Sequence, residues 1–202
     1  ENFPEVFSRI NAYNASTRSG THKLGCFAIF YTPIQQNPSL MIIGNNPSWF
    51  DKDDPTKAYG IVQGLMTGPP SENSYLAHNH VFAHRLQDAF NRIGRFDLLR
   101  QCVGMNRLWL QTGPENSHWN RACKAYSGTL RLSLNDYCEN KTKEIIRLIA
   151  PKVALLVGAK AQKLSAENTS GDTNTIHVSY PLGAGINFLQ QELRNIVSKY
   201  EI

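Results

Sequence analysis

The chain is expected to fold as an α/β domain, a three-layer α/β/α sandwich around a central, mostly parallel sheet. Three features of the sequence predict this. Unbroken apolar runs at 40–44 (Leu-Met-Ile-Ile-Gly) and 153–157 (Val-Ala-Leu-Leu-Val) have the length of strands buried on both faces. Stretches with apolar residues at helical spacing alternate with them, as in units that join parallel strands. The 202 residues, 41% of them hydrophobic, suffice to bury one core and suit a single domain, with 1–23 as an N-terminal extension.

Residues 24–31 (Leu-Gly-Cys-Phe-Ala-Ile-Phe-Tyr) read as the first strand, and Pro33 to Ser39 as a turn leading into the strand at 40–44. Residues 45–70 carry several Gly and Pro and read as a long irregular loop, a length that in a compact domain usually signals function. A helix is predicted over 78–94, with Val81, Leu86, Ala89, Phe90 and Ile93 on its inner face and Gly94 as its stop. Residues 107–111 read as a strand. A second amphipathic helix is predicted over 133–149, with Leu134, Tyr137, Ile145, Ile146 and Ile149 inward and Pro151 ending it. After the strand at 153–157, Gly158 to Ala161 open a short helix. A strand at 175–179 and a helix at 186–199 complete the chain. Ligands of such sheets bind at the carboxyl ends of the strands, which points to the residues after Gly44, Leu110, Val157 and Ile176.

Composition narrows the function classes. The net charge of +5 permits a phosphate-binding face without demanding one. No apolar run is long enough to span a bilayer, and Glu1-Asn2-Phe3-Pro4 lacks the pattern of a secretory signal, so no membrane partner and an intracellular location (cytoplasm, nucleoid or nucleus) are expected. Cys26, Cys102, Cys123 and Cys138 show no Cys-x-x-Cys pair and read as reduced thiols rather than metal ligands. His78, His80 and His84 cluster, but no acidic residue or Cys completes a metal set before Asp88. Asp51, Asp53 and Asp54 read as an exposed acidic loop, and Lys141, Lys143 and Arg147 as a solvated helix face; Arg92, Arg95 and Arg100 are candidates to track phosphates.

Three segments carry a recognisable pattern: Ile43-Gly44-Asn45-Asn46-Pro47-Ser48, then Pro151-Lys152 with the apolar run ending in Gly158-Ala159-Lys160-Ala161, then Ile176-His177-Val178-Ser179-Tyr180-Pro181. In order and separation they resemble the motifs of the uracil-DNA glycosylase superfamily, over roughly residues 24 to 200, with Val178 standing where that family usually has Pro and Tyr180 inserted before Pro181. The resemblance implies that fold and a monofunctional glycosylase that flips a pyrimidine out of single- or double-stranded DNA and hydrolyses its N-glycosidic bond, acting as a monomer without cofactor or metal. Taken singly, Asn46-Pro47 is also a turn initiator and a strand-end histidine is also a structural one; the pattern around them selects the catalytic reading.

The roles follow from the chemistry. The departing base carries negative charge, and His177 matches the residue that hydrogen-bonds its O2. The sugar carries positive charge, and Asn46 matches the residue that orients water. The family's uracil readers place an Asn at the end of the strand expected at 107–111; the matching residue is Gln111, whose amide offers one donor and one acceptor, or which is simple strand-end polarity. Ser48 stands where the most uracil-restricted branch has a Tyr that blocks C5, so 5-substituted pyrimidines are expected to be tolerated. Trp49, Phe50 and Tyr59 are candidates for the aromatic platform, with Phe50 preferred. Ser179, Leu182 and Gly183 match the loop that meets the DNA backbone and wedges the stack, and Lys160 and Lys163 are placed to meet phosphate. Two rivals remain: a catalytically inactive superfamily member serving as a DNA- or protein-binding module, and an enzyme acting on a free nucleoside or nucleotide.

Overall fold

The computed structural model describes residues 29–45, 70–77, 81–109, 128–157, 174–178 and 186–202, with backbone alone for 128–135, 174–178 and 186. Within them lie four strands, β1 (Leu40–Gly44), β2 (Val103–Asn106), β3 (Val153–Val157) and β4 (Asn174–Val178). The helices are α1 (Ser74–Ala77), α2 (Val81–Arg92), α3 (Phe96–Arg100), α4 (Gly128–Ile149) and α5 (Ile186–Tyr200). The strands form one sheet in the order β2-β1-β3-β4, all parallel.

The apolar runs explain why β1 and β3 are central. Leu40 to Ile43 and Val153 to Val157 are buried throughout, so both faces of the sheet need cover. Leu40, Ile42, Val153, Leu155 and Val157 pack with Tyr75 of α1, Leu86 and Phe90 of α2, Leu99 of α3 and Leu193 of α5. Met41, Ile43, Val103, Met105, Ala154 and Leu156 pack with Ile146 and Ile149 of α4. The division follows from handedness. The β1-to-β2 and β2-to-β3 crossovers run in opposite directions across the sheet, so a common right-handed sense puts their helices on opposite faces.

The strand expected at 107–111 is corrected to Val103–Asn106, and Arg107 to Trp109 form a bend after it. Gly104 disfavours a strand by propensity, but packing demands it. A methyl group there would lie 2.5 Å from Cε2 of the fully buried Tyr75 ring. Residues 29–32 run along the outer side of β2: Tyr31 N–H donates to the Gly104 carbonyl (2.8 Å), Asn106 N–H to the Ile29 carbonyl (2.9 Å), and Gly104 N–H to Thr32 Oγ1 (2.8 Å). From the strand expected at 24–31, the described part thus contributes one antiparallel bridge, Phe30 with Met105. α2 keeps Leu86, Ala89 and Phe90 inside as expected, but Val81 at its start is 67% exposed because the inner stripe begins at Ala83. α4 ends at Ile149, where Ala150 takes a left-handed φ of 50° ahead of Pro151.

Burial also sets a pH dependence. Desolvation pushes the Cys102 thiol up to about 12 and that of Cys138 up to about 11, from 9.0, and the Tyr31 phenol up to about 12, from 10.0; Tyr75 is raised well above 10.0 by the same cause. The folded chain therefore holds protons that the unfolded chain begins to release near pH 9. Stability from these groups is complete below that pH and falls as pH rises through 11 to 12, by about 1.4 kcal/mol per pH unit for each group released only on unfolding. The urea midpoint should drop between pH 8 and pH 10.5; an unchanged midpoint would contradict this burial.

Candidate functional site at the carboxyl edge of the sheet

The strand order places a topological switch point between β1 and β3. From β1 the chain steps outward to β2, then returns past β1 to β3 and continues to β4. The connection after β1 runs toward β2 and the one after β3 runs toward β4, in opposite directions, the arrangement in which open α/β sheets hold ligands at the carboxyl ends of the strands. Register defines that edge: Gly44 lies beside Asn106, Val157 beside Val178, and Leu156 beside both Ile43 and His177. One strand separates β1 from β4, so their ends stand about 10 Å apart, twice the spacing of neighbouring strands.

Buried polar groups surround the β1 and β2 ends. Asn106, the last residue of β2, is 2% exposed. Its Oδ1 lies 3.1 Å from the point where a Gly44 Cβ would sit, so the bare Gly44 leaves the carboxamide room over the end of β1.

Arg107 follows, and it ties three elements together. Its backbone N–H donates to the Gly44 carbonyl (2.8 Å), and Leu108 N–H donates to the Asn45 carbonyl (2.8 Å). Its guanidinium, 5% exposed, pairs through Nη1 with Glu139 of α4 and reaches Asn45 Oδ1 through Nη2 (3.3 Å). Its own carbonyl accepts from Thr142 Oγ1 of α4 (3.3 Å). Desolvation draws the guanidinium below its usual range and Glu139 pulls it back, and an arginine in this position remains cationic. Trp109 is buried, its ring edge-on to Tyr137 (5.9 Å between centroids). Arg107 Nε and Trp109 Nε1 are buried donors with no partner among the described residues.

Of the residues singled out in the sequence, His177 lies in β4, in register with Leu156. Asn46, Ser48, Trp49, Phe50 and Tyr59, Gln111, Lys160 and Lys163, and Ser179, Leu182 and Gly183 lie outside the described residues. They belong to the segments 46–69, 110–127, 158–173 and 179–185, which depart from the carboxyl ends of β1, β2, β3 and β4 in turn. Because β2 ends at Asn106, the strand-end carboxamide is Asn106, and the strand-end position assigned to Gln111 is corrected accordingly. Sequence reasoning overlooked Asn106, Arg107 and Glu139. The apolar triplet Leu108-Trp109-Leu110 drew the predicted strand past its end, and a pair 32 residues apart leaves no local trace.

Arg92, Arg95 and Arg100 lie on α2, before α3 and on α3, the helices that lead into the amino end of β2, away from this edge. Arg92 pairs with Asp88 (3.1 Å), Arg95 with Asp97 (3.0 Å), and Arg100 stacks over Phe96 (5.2 Å). They are therefore set aside as phosphate-tracking residues for this site. Lys141 pairs with Glu144 at the surface (2.6 Å). No cluster of three metal-ligating side chains occurs among the described residues, and no helix among them is long and apolar enough to cross a membrane. A scan with protein-family models and a search of curated proteins both give no match.

Proposed function

We propose that the chain is a DNA glycosylase with a uracil-DNA glycosylase-like α/β/α fold, which hydrolyses the N-glycosidic bond of a flipped-out uracil or 5-substituted pyrimidine. One observation carries the reading. The strand bearing His177 and the strand that runs into Asn46 end on the same edge, one strand apart, at a switch point. A separation of about 10 Å between the strand ends leaves room for a sugar–base unit between side chains reaching in from either side.

In this mechanism the bond from C1′ to the base nitrogen breaks and water adds its oxygen at C1′. His177 donates to O2 of the departing base, and Asn46 orients the water on the opposite face of the sugar. Gln111 meets the base edge: its carboxamide offers an acceptor to N3–H and a donor to O4 of a pyrimidine dione. Ser48 leaves space at C5, Phe50 or Trp49 stacks on the base, and Ser179, Leu182, Gly183, Lys160 and Lys163 meet the DNA. The enzyme works as a monomer inside the cell.

An abasic-site cleavage assay over uracil, thymine, 5-hydroxymethyl and glycosylated pyrimidines tests this. The expected outcome is alkali-labile product from uracil and from at least one 5-substituted base, lost in Asn46→Ala. DNA binding without product across the panel would favour the inactive binding module. Turnover of free nucleosides alone would favour a small-molecule enzyme.

A further inference from the structure

We propose that Arg107 is a positioning residue that aims the chain leaving β1 and thereby holds Asn46 in place for its water, an inference that rests on the glycosylase reading above. The regular pairing of β1 with β2 stops at Gly44 beside Asn106. Bonding between the two segments continues past that point in a different form. Arg107 N–H donates to the Gly44 carbonyl and Leu108 N–H to the Asn45 carbonyl, both at 2.8 Å. Successive N–H groups of an extended strand point to opposite sides, so a ladder uses only alternate ones toward a given neighbour. The bend at Arg107 and Leu108 turns two in a row toward the end of β1, and their acceptors are the last two residues before Asn46.

Side chains add a third tie. Nη2 of the Arg107 guanidinium lies 3.3 Å from Asn45 Oδ1, and Nη1 pairs with Glu139 of α4. The guanidinium is a planar fork, so the bond to Glu139 fixes where its other arm lies. Thr142, one turn along α4 and fully buried, donates its Oγ1 to the Arg107 carbonyl (3.3 Å). The helix thus holds Arg107 at its backbone and at its tip, and the Arg107–Leu108 bend holds Asn45 by carbonyl and side chain. Asn46 is the next residue in the chain. Its carboxamide must meet a water on one face of one sugar, a task in which about 1 Å of misplacement costs about a hundredfold in rate.

The test uses the double variant Arg107→Met, Glu139→Leu, in which both charges go together, beside Asn45→Ala, which takes away the acceptor and keeps the ion pair. Thermal melts, single-turnover base release from uracil oligonucleotides, DNA affinity and hydrogen exchange at the Leu108 amide are read on both variants and on wild type. The proposal expects Asn45→Ala to melt within about 4 °C of wild type. It expects base release about thirtyfold slower in the double variant and about fivefold slower in Asn45→Ala, with DNA affinity within about threefold of wild type. It also expects Leu108 to exchange about tenfold faster in the double variant. A purely structural clamp would instead return the rate along with the melting temperature. Rates within about twofold of wild type in both variants would overturn the proposal, as would unchanged Leu108 exchange in the double variant. Should the double variant fail to fold, an unchanged rate in Asn45→Ala overturns it alone. A wild type that forms no abasic product from any pyrimidine would sink the glycosylase reading itself and this inference with it.

Discussion

Replacing His177 with alanine is expected to slow base release under single-turnover conditions by about 10²–10³-fold while DNA affinity changes by less than about threefold. The size follows from the role. A donor aimed at charge that develops only as the bond breaks strengthens in the transition state and contributes little to the ground state, and removing one such donor costs about 3–4 kcal/mol in comparable sites. β4 delivers His177 to the penultimate register position of a parallel strand, beside Leu156 and one strand from Ile43. A strand holds a side chain more precisely than a loop does, which suits a group that must meet one oxygen of a flipped base. A variant within threefold of wild type in rate would remove His177 from the mechanism.

Arg107→Met should produce the largest loss of stability, about 2–3 kcal/mol, lowering the melting temperature by about 5–10 °C. The guanidinium is almost fully enclosed, and its removal leaves Glu139 without its cation and takes the Arg107 donor away from Asn45. Glu139 is 25% exposed, so water recovers part of that cost, which brings the loss down to or just below the roughly 3–5 kcal/mol of fully buried broken pairs. Arg107→Lys should not substitute, because one ammonium cannot serve Glu139 and Asn45 with the geometry of a planar fork. The double variant Arg107→Met, Glu139→Leu should recover most of the stability, since it removes both charges together. Thermal melts of the four proteins as a double-mutant cycle measure this. A single variant as stable as wild type would show that the pair does not hold the edge together.

The parts of the fold that were legible in the sequence are those where one physical signal dominates. Leu40–Gly44 and Val153–Val157 are strands to the residue, because a strand buried on both faces must be apolar at every position. β4 lies one residue earlier than expected, and α5 extends one residue further. What eluded the sequence depends on partners distant in the chain. β2 contains Gly104 because Tyr75 occupies the space of its side chain, a reason that no local propensity contains. α1 and α3 have four and five residues, too few for a periodicity to show. At the candidate site, the carboxyl edge of the sheet was legible, because the apolar runs fix where β1 and β3 end. The Arg107–Glu139 pair was not, since it joins elements that only the folded sheet brings together.

A crystal structure of the protein with an oligonucleotide carrying 2′-fluoro-deoxyuridine, whose fluorine opposes positive charge on the sugar and so protects the bond, would test the central claim most directly. The account predicts an extrahelical uracil at the outlet of β1 and β3, with His177 at O2 and the Gln111 amide at N3 and O4. DNA seated along another face, or a base lodged away from the carboxyl ends of the strands, would contradict it.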